Sequence, residues 1–398
     1  NTHFRLITAE IMLLSTLLKD IISLPKEADC TISNLTLDSR EIKPGYLFLA
    51  VKGTHLDGSE YIDDAIAKGA VAVLVEAAKP DEPLTYQKHV PIIPIHDLKR
   101  NLALLAARFY DFPAKKLRML GVTGTNGKTS CTHFFAEVLQ SLGQSCGIIG
   151  TLGSGFYGAL GEAGLTTPDP INLQAMLKGF VDEKAQAVAM EVSSHSIAQG
   201  RVNASDFELG LFTNLTQDHL DYHGSMADYA AVKRRFLAEF PVKNLIINAD
   251  DPYGMKWAKE LAGLPRPAKS AGLAKTGVYV YAKSAGLAMT ASTGVYVYAT
   301  SGKNLPAGIP AIYVEQVQAN LQGIKAIVHT PWGSGNLHLP LIGHFNLSNV
   351  LGVLTALCLY GIPLNQVLEA FTAIQPVPGR MQTVGRGELP LIVVDYAH

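Results

Sequence analysis

An apolar run over residues 117–122 leads straight into the turn Gly121-Val-Thr-Gly-Thr-Asn-Gly-Lys-Thr129, and an apolar-periodic stretch over residues 129–142 follows. Strand, glycine-rich turn, Lys-Thr and helix in this order leave few folds open. A strand that is mostly apolar on both faces belongs inside a parallel sheet covered on both faces. Glycines let backbone N–H groups approach bound oxygens, the helix start adds partial positive charge, and Lys128 supplies a full one. Thr129 offers a hydroxyl to Mg²⁺. The loop Gly124, Thr125, Asn126, Gly127, Lys128, Thr129, Ser130 therefore reads as the cradle for the phosphates of ATP. The common spacing, Gly, four residues, then Gly-Lys-Ser/Thr, is not met: Val122 stands where the first glycine would fall. A glycine-rich turn that binds nothing is the competing reading, and the Lys-Thr pair behind an apolar strand argues against it.

Further apolar runs at residues 187–190, 209–212 and 244–247 alternate with helical stretches. Such alternation predicts an α/β domain of the P-loop ATPase type, a mostly parallel sheet with helices on both faces, over residues 113–376. Ahead of it lies a small α/β unit, residues 1–112. There the pattern predicts a short amphipathic helix over 12–22, two strands within 35–51 around Lys43-Pro44-Gly45, helices over 61–68 and 98–110, and strands over 71–75 and 91–94. Asp111-Phe112-Pro113 ends that unit. Residues 377–398 read as the start of a further domain that is cut short, because a buried strand at 393–394 has no helix after it. The first methionine is Met12, which leaves the residues before it open to a non-native origin. Within residues 268–299 the string Ala-Lys-Ser-Ala-Gly-Leu-Ala occurs twice, as does Thr-Gly-Val-Tyr-Val-Tyr-Ala, in a region that reads as a β-rich excursion up to Pro340.

Composition removes several function classes. With 33 basic and 34 acidic residues and a net charge of −1, the chain shows no bias toward nucleic acid or an anionic membrane. Four scattered cysteines, none in a CxxC pair, suggest neither a disulfide framework nor a zinc site. No apolar run reaches the roughly 18 residues that span a bilayer. A monomer in a reducing cytoplasm is the expectation.

Two further segments follow predicted strands, where side chains face the ligand crevice. In Met190-Glu191-Val-Ser-Ser-His195, Glu191 is placed either to bind Mg²⁺ or to cap the next helix. In Asp218-His219-Leu-Asp221-Tyr222-His223, two carboxylates and two imidazoles suit ion binding and substrate orientation. Ser225-Met-Ala-Asp228 is a capping box. In the helix it starts, Tyr229, Lys233, Phe236, Leu237 and Phe240 share one face. Lys233 either snorkels to solvent or is buried as a neutral amine able to take up CO₂ as a carbamate.

Together the motifs GVTGTNGKT, LTTP, MEVSSH, LFTNLTQDHLDYHG, INADD, GHFNLSN, PGRM and VVDYAH, in this order from about residue 35 to residue 398, resemble the Mur ligase family, most closely the branch that adds the third amino acid of the peptide. The resemblance implies an ATP-dependent amide-bond ligase of peptidoglycan synthesis. Its substrates would be UDP-MurNAc-L-Ala-D-Glu and meso-diaminopimelate, or else L-lysine, joined through an acyl phosphate. Lys128, Glu191, His219 and Lys233 take the catalytic roles. Thr129, Glu191 and His219 are implied Mg²⁺ ligands, with Lys233 as the carbamate that holds a second Mg²⁺. Leu37, Ser39, Thr54, His55 and Leu56 match uridine-nucleotide contacts. Thr166, Thr167, Ser193, Gln199 and Arg201 match positions that hold the muramoyl-dipeptide, and Asn346, Asn349, Arg380 and Asp395 those near the ATP base and ribose. The family's C-terminal domain, with its Asp-Asn-Pro-Arg motif, does not occur in the sequence. As written, the chain is therefore expected to bind nucleotide-sugar and ATP without completing the reaction. A small-molecule kinase is a third class, which has no need of the segment around Ser39.

Overall fold

The computed structural model describes residues 11–53, 57–79, 82–262, 294–384 and 392–395. Thr54, His55 and Leu56, most of the duplicated stretch and the last three residues lie outside the described residues.

The first unit opens with β1 (Met12–Leu13), paired antiparallel to β2 (Thr31–Ile32), and a single-turn helix α1 (Leu14–Leu17). The longer helix expected over residues 12–22 does not form. Ser15 donates its N–H and hydroxyl to Asp29 at 2.9 and 2.7 Å, and Leu14 N–H reaches Cys30 O, so this stretch is tied to its neighbour instead of to its own next turn. Strands β3 (Asn34–Thr36), β4 (Tyr46–Ala50), β5 (Ala72–Glu76) and β7 (Val90–Ile95) run parallel, and β6 (Thr85–Gln87) closes the edge antiparallel to β7. The two strands expected around Lys43-Pro44-Gly45 are thus present, but side by side in the same direction and joined by a 3-10 turn at Ser39–Glu41. Alternation along β4 divides its side chains. Leu47 and Leu49 pack with α3 (Leu98–Phe109), and Phe48 and Ala50 pack with α2 (Ile62–Ala67).

The second unit is built on one 11-stranded sheet. Its parallel centre contains β8 (Arg118–Thr123), β9 (Cys146–Gly150), β12 (Ala187–Glu191), β13 (Phe207–Phe212), β14 (Val242–Asn248), β15 (Gly294–Ala299) and β16 (Ala311–Asn320). One edge is finished antiparallel by β10 (Gly153–Phe156) and β11 (Ala159–Leu160), the other by β17 (Gly323–Thr330) and β18 (Gly333–Leu339). The β-rich stretch before Pro340 is therefore no separate excursion. Asn244 pairs with Gly294, which draws β15 to β18 into the main sheet. Helices α4 (Lys128–Ser141), α10 (His344–Tyr360) and α11 (Leu364–Phe371) cover one face, against Leu120, Val122, Ala187 and Ala189. Helices α5 (Pro170–Asp182), α8 (Met226–Glu239) and α9 (Pro252–Leu261) cover the other, against Met119, Val188 and Met190. Short helices α6 (Ser194–Ala198) and α7 (Leu220–His223) lie in the loops after β12 and β13.

Val122 on β8 lies beside Glu191 on β12 and Leu211 on β13. The loops leaving these three strands consequently emerge together at one end of the sheet, the end where parallel α/β sheets bind ligands. Beyond α11 the chain forms a two-stranded ribbon, β19 (Gln382–Val384) with β20 (Ile392–Val394). The strand expected at 393–394 is present but exposed: Ile392 and Val393 show 56% and 42% of their surface, because only β19 pairs with it.

Candidate active site

The phosphate loop is seated on the segment leaving β13. Thr125 N–H donates to Asn214 O at 2.8 Å and Asn126 N–H to Asn214 Oδ1 at 3.0 Å, while Thr213 Oγ1 donates to Asn126 O at 2.5 Å. Those two amides are thereby used within the protein, which leaves the N–H groups opening α4, without acceptors in their own helix, as the donors for a bound anion. Close approach explains the unusual glycine spacing. Gly124 has φ +148°, and a Cβ there would sit 1.9 Å from Thr213 Oγ1. Gly127, with φ +85°, would meet Asn349 Oδ1 at 2.3 Å. Asn349 lies in the second turn of α10, so it does not start that helix, and its buried side chain closes over the loop. Asn346 is buried beside it and donates to Ile342 O at 2.9 Å.

Two lysines converge on this loop. Lys128 Nζ donates to Gly124 O at 3.0 Å and Thr125 O at 2.6 Å. Lys233 Nζ reaches the same Gly124 O at 2.8 Å and lies over the Tyr229 ring. Lys233 is 1% exposed, so the snorkelling alternative is excluded. Ser225 caps α8 through Asp228 N–H at 3.1 Å and sets the helical phase that turns Lys233 inward. Burial lowers the proton affinity of both lysine amines. For Lys233 the positive charge of Lys128 adds to the fall. For Lys128 the carboxylates of Glu191 and Asp218 act against it, and Arg380 acts with it.

Glu191 is buried at the end of β12, beneath Gly150. Thr129 Oγ1 donates to its Oε1 at 3.0 Å, Thr151 N–H to the same oxygen at 2.8 Å, and Thr151 Oγ1 to Oε2 at 3.2 Å. It caps no helix, since Ser193 accepts the Ser196 N–H at the start of α6. Thr166, Thr167, Ser193, Gln199 and Arg201 join one network with Glu191. Thr166 pairs with Thr151 at 3.1 Å, Thr167 donates to Glu191 O at 2.7 Å and accepts from Ser193 N–H, and Arg201 Nη1 donates to Thr167 O at 2.8 Å. Arg201 Nε also holds Gln199 Oε1 at 2.8 Å, and Gln199 Nε2 reaches the Tyr222 hydroxyl at 3.2 Å.

His219 lies in the loop after β13, with its ring 5.0 Å from that of His195 and 6.2 Å from that of Tyr229. Burial, then the neighbouring His219, lowers the proton affinity of His195. Among the described residues no three His, Cys, Asp or Glu side chains gather as a closed metal cage. The donor set still suits Mg²⁺, which keeps waters and phosphate oxygens and takes one or two carboxylates: the Thr129 hydroxyl and Glu191 carboxylate lie side by side at the loop. Asp395 accepts Met381 N–H at 3.1 Å, next to Arg380, whose charge is felt at Lys128. Ser39 and Leu37 belong to the first unit and do not meet the phosphate loop. Lys68 Nζ donates to Ser39 O at 3.2 Å, and Leu37 packs on the core of that unit. Thr151 and Asn214 are not among the expected site residues: Asn214 follows the strand expected over 209–212, whereas Thr151 follows β9, a strand that was not expected. Their roles depend on a carboxylate and an amide distant in sequence.

Comparison with known proteins places the chain in a family. The Mur ligase middle domain profile matches residues 122–357, and that of the Mur ligase family catalytic domain matches residues 31–110. The chain is 43% identical over 372 residues to the UDP-N-acetylmuramoyl-L-alanyl-D-glutamate–2,6-diaminopimelate ligase of Pseudomonas aeruginosa, covering 94% of this chain and 69% of that protein. A solved structure of a ligase with the same name superposes with a TM-score of 0.71 at 27% identity, over 92% of this chain and 67% of that one. MurF from Thermotoga maritima in complex with ADP shares the fold, with a TM-score of 0.56 at 17% identity over 91% and 70% of the two chains.

Proposed function

The chain belongs to the Mur ligase family, and on that premise we propose that it joins meso-diaminopimelate to the D-glutamate γ-carboxylate of UDP-MurNAc-L-Ala-D-Glu at the expense of ATP. The observation that carries this reading is the convergence of Lys128, Lys233 and the Thr129–Glu191 pair on the loop around Gly124. The diaminopimelate specificity in the relative's name favours that amino acid over L-lysine.

The chemistry has to bring an anionic carboxylate to an anionic γ-phosphate, so charge neutralisation dominates the barrier. The N–H groups opening α4 hold the phosphates, and Lys128 turns from its loop carbonyls toward them. Thr129, Glu191 and His219 would hold Mg²⁺, which supplies Lewis-acid neutralisation between the reacting groups. Lys233, whose proton affinity burial lowers, can add to CO₂: the amine nitrogen bonds the carbon and one proton leaves, and the resulting carbamate would hold a second Mg²⁺. A glutamate carboxylate oxygen attacks the γ-phosphorus and ADP departs. The amine of the incoming amino acid then attacks the acyl carbon, loses a proton and expels phosphate. Arg201, fixed by Gln199 and Thr167 O, suits an acidic part of the muramoyl-dipeptide, with Thr166, Thr167 and Ser193 alongside. Ser39 and Leu37 would meet the uridine nucleotide, and Asn346, Asn349, Arg380 and Asp395 the base and ribose of ATP. On this reading residues 1–112 serve the nucleotide-sugar, 113–376 serve ATP, and 377–398 begin a third unit, in a cytoplasmic monomer.

Phosphate release is the decisive assay. With UDP-MurNAc-L-Ala-D-Glu, meso-diaminopimelate and Mg·ATP, release should depend on all three. Binding of the nucleotide-sugar without release would reduce the chain to a binding module, and release without the amine would mark a kinase.

A further inference from the structure

The Asn248-Ala-Asp-Asp251 segment at the end of β14 has no part in the reaction above, yet its side chains end on the segment that backs the phosphate loop. Asn248 is buried and donates from Nδ2 to Thr213 O at 2.6 Å, with Ser348 Oγ of α10 at 3.5 Å from the same nitrogen. Its Oδ1 accepts Asp250 N–H at 3.0 Å. Asp251, also buried, accepts Leu215 N–H at Oδ2, 2.9 Å, while its Oδ1 accepts Tyr253 and Gly254 N–H at 2.9 and 3.0 Å and so caps α9. Both side chains therefore grip residues 213–216 from behind. On the opposite side these residues hold the phosphate loop: Thr213 and Asn214 bind Asn126, Asn214 O accepts Thr125 N–H, and Thr216 N–H donates to Thr125 Oγ1 at 3.0 Å.

We infer that Asn248 and Asp251 are positioning residues for nucleotide binding, acting through residues 213–216 on the phosphate loop. The inference rests on the phosphate-site reading given above. The bonds from Asn248 to Thr213 O and from Leu215 N–H to Asp251 are buried, so losing one partner leaves an unsatisfied amide or carbonyl and favours a shift of the segment. A displacement on the order of 1 Å at a binding loop costs up to about 100-fold. Asn248→Asp preserves shape and the bond to Asp250 but sets a carboxylate against the Thr213 carbonyl. Asp251→Asn preserves the helix cap but sets an NH₂ against the Leu215 N–H.

Mg·ADP and UDP-MurNAc-L-Ala-D-Glu are titrated separately into the full chain and both variants. Either substitution should weaken Mg·ADP about tenfold or more and raise the KM for ATP. Nucleotide-sugar affinity should stay within about twofold, the scatter of remote substitutions. The double variant should lose less than the product of the two, since both act on one segment. Mg·ADP affinity within about twofold of wild type in both variants overturns the inference, as does an equal loss of nucleotide-sugar affinity, the sign of general loosening. Wild-type protein that binds no Mg·ADP overturns the phosphate-site reading and the inference with it. If a variant does not fold, the Leu215 amide of the wild type decides. Slow hydrogen exchange with and without Mg·ADP supports the brace, and fast exchange overturns it.

Discussion

Lys128 and Lys233, 105 positions apart in the chain, place both Nζ atoms on one acceptor, the carbonyl oxygen of Gly124, at 3.0 and 2.8 Å. Two ammonium groups on one carbonyl repel each other, and burial disfavours both charges. The arrangement is relieved if one amine is neutral or becomes a carbamate.

Lys233→Ala should therefore abolish phosphate release while leaving nucleotide-sugar binding intact, and added formate or acetate should restore a measurable part of the rate. Lys233→Met tests the charge separately. The lowered folded-state pKa means that the unfolded chain binds a proton the native state does not, below the ordinary lysine value of roughly 10.4. Stability should then rise with pH in that window, and denaturant titrations of Lys233→Met should show a shallower rise than wild type. An unchanged slope would show that Lys233 is charged in the native protein.

Glu191→Gln keeps the hydrogen bonds to Thr151 but removes the charge next to Thr129. Loss of a metal-binding carboxylate at a phosphoryl-transfer site is worth several kcal/mol, about 100-fold or more in rate. Steady-state rates at varied Mg²⁺ should show that loss together with a higher Mg²⁺ requirement. A rate within a few-fold of wild type would remove Glu191 from the metal site.

Gly127→Ala places a methyl 2.3 Å from Asn349 Oδ1 at φ +85°. Strain of this kind costs on the order of 1–3 kcal/mol. Calorimetry should find Mg·ADP affinity reduced by the corresponding factor of about 5–150. The same change at Gly143, where a Cβ meets nothing within 4 Å, should leave nucleotide affinity alone.

His133 on α4 is 7% exposed, and burial lowers its pKa from 6.5 to about 4. Between these values the unfolded chain binds the proton and the native state does not, so stability falls as pH drops from 6.5 toward 4. Integrated over that window the loss is about 3 kcal/mol. His133→Leu should flatten the acid side of the stability curve in chemical denaturation, and an unchanged acid limb would mean that His133 is protonated in the native state.

Much of this was legible in the sequence, for reasons of range. Apolar runs and a helical apolar pattern located β8, β12, β13, β14 and α4 within a residue or two, because each element buries its side chains along its own length. Ser225 announced the start of α8, because a cap bonds within three residues. Residues 12–22 misled, since Asp29 competes there for the Ser15 N–H and no local pattern carries that information. The exposed β20 misled in the same way, being apolar without a cover.

The sequence by itself determined the strand–loop–helix cradle, the small first α/β unit and the candidates Glu191, His219 and Lys233, all of which follow from local spacing and chemistry. Only the tertiary structure decided how they act together. Parallel pairing sets Val122 beside Glu191 and Leu211, and through them Thr129 meets Glu191, Asn214 seats the loop, and Asn349 roofs Gly127. Whether Lys233 lies in water or against Gly124 depends on how α8 packs on the sheet, a relation between distant segments that no sequence window contains.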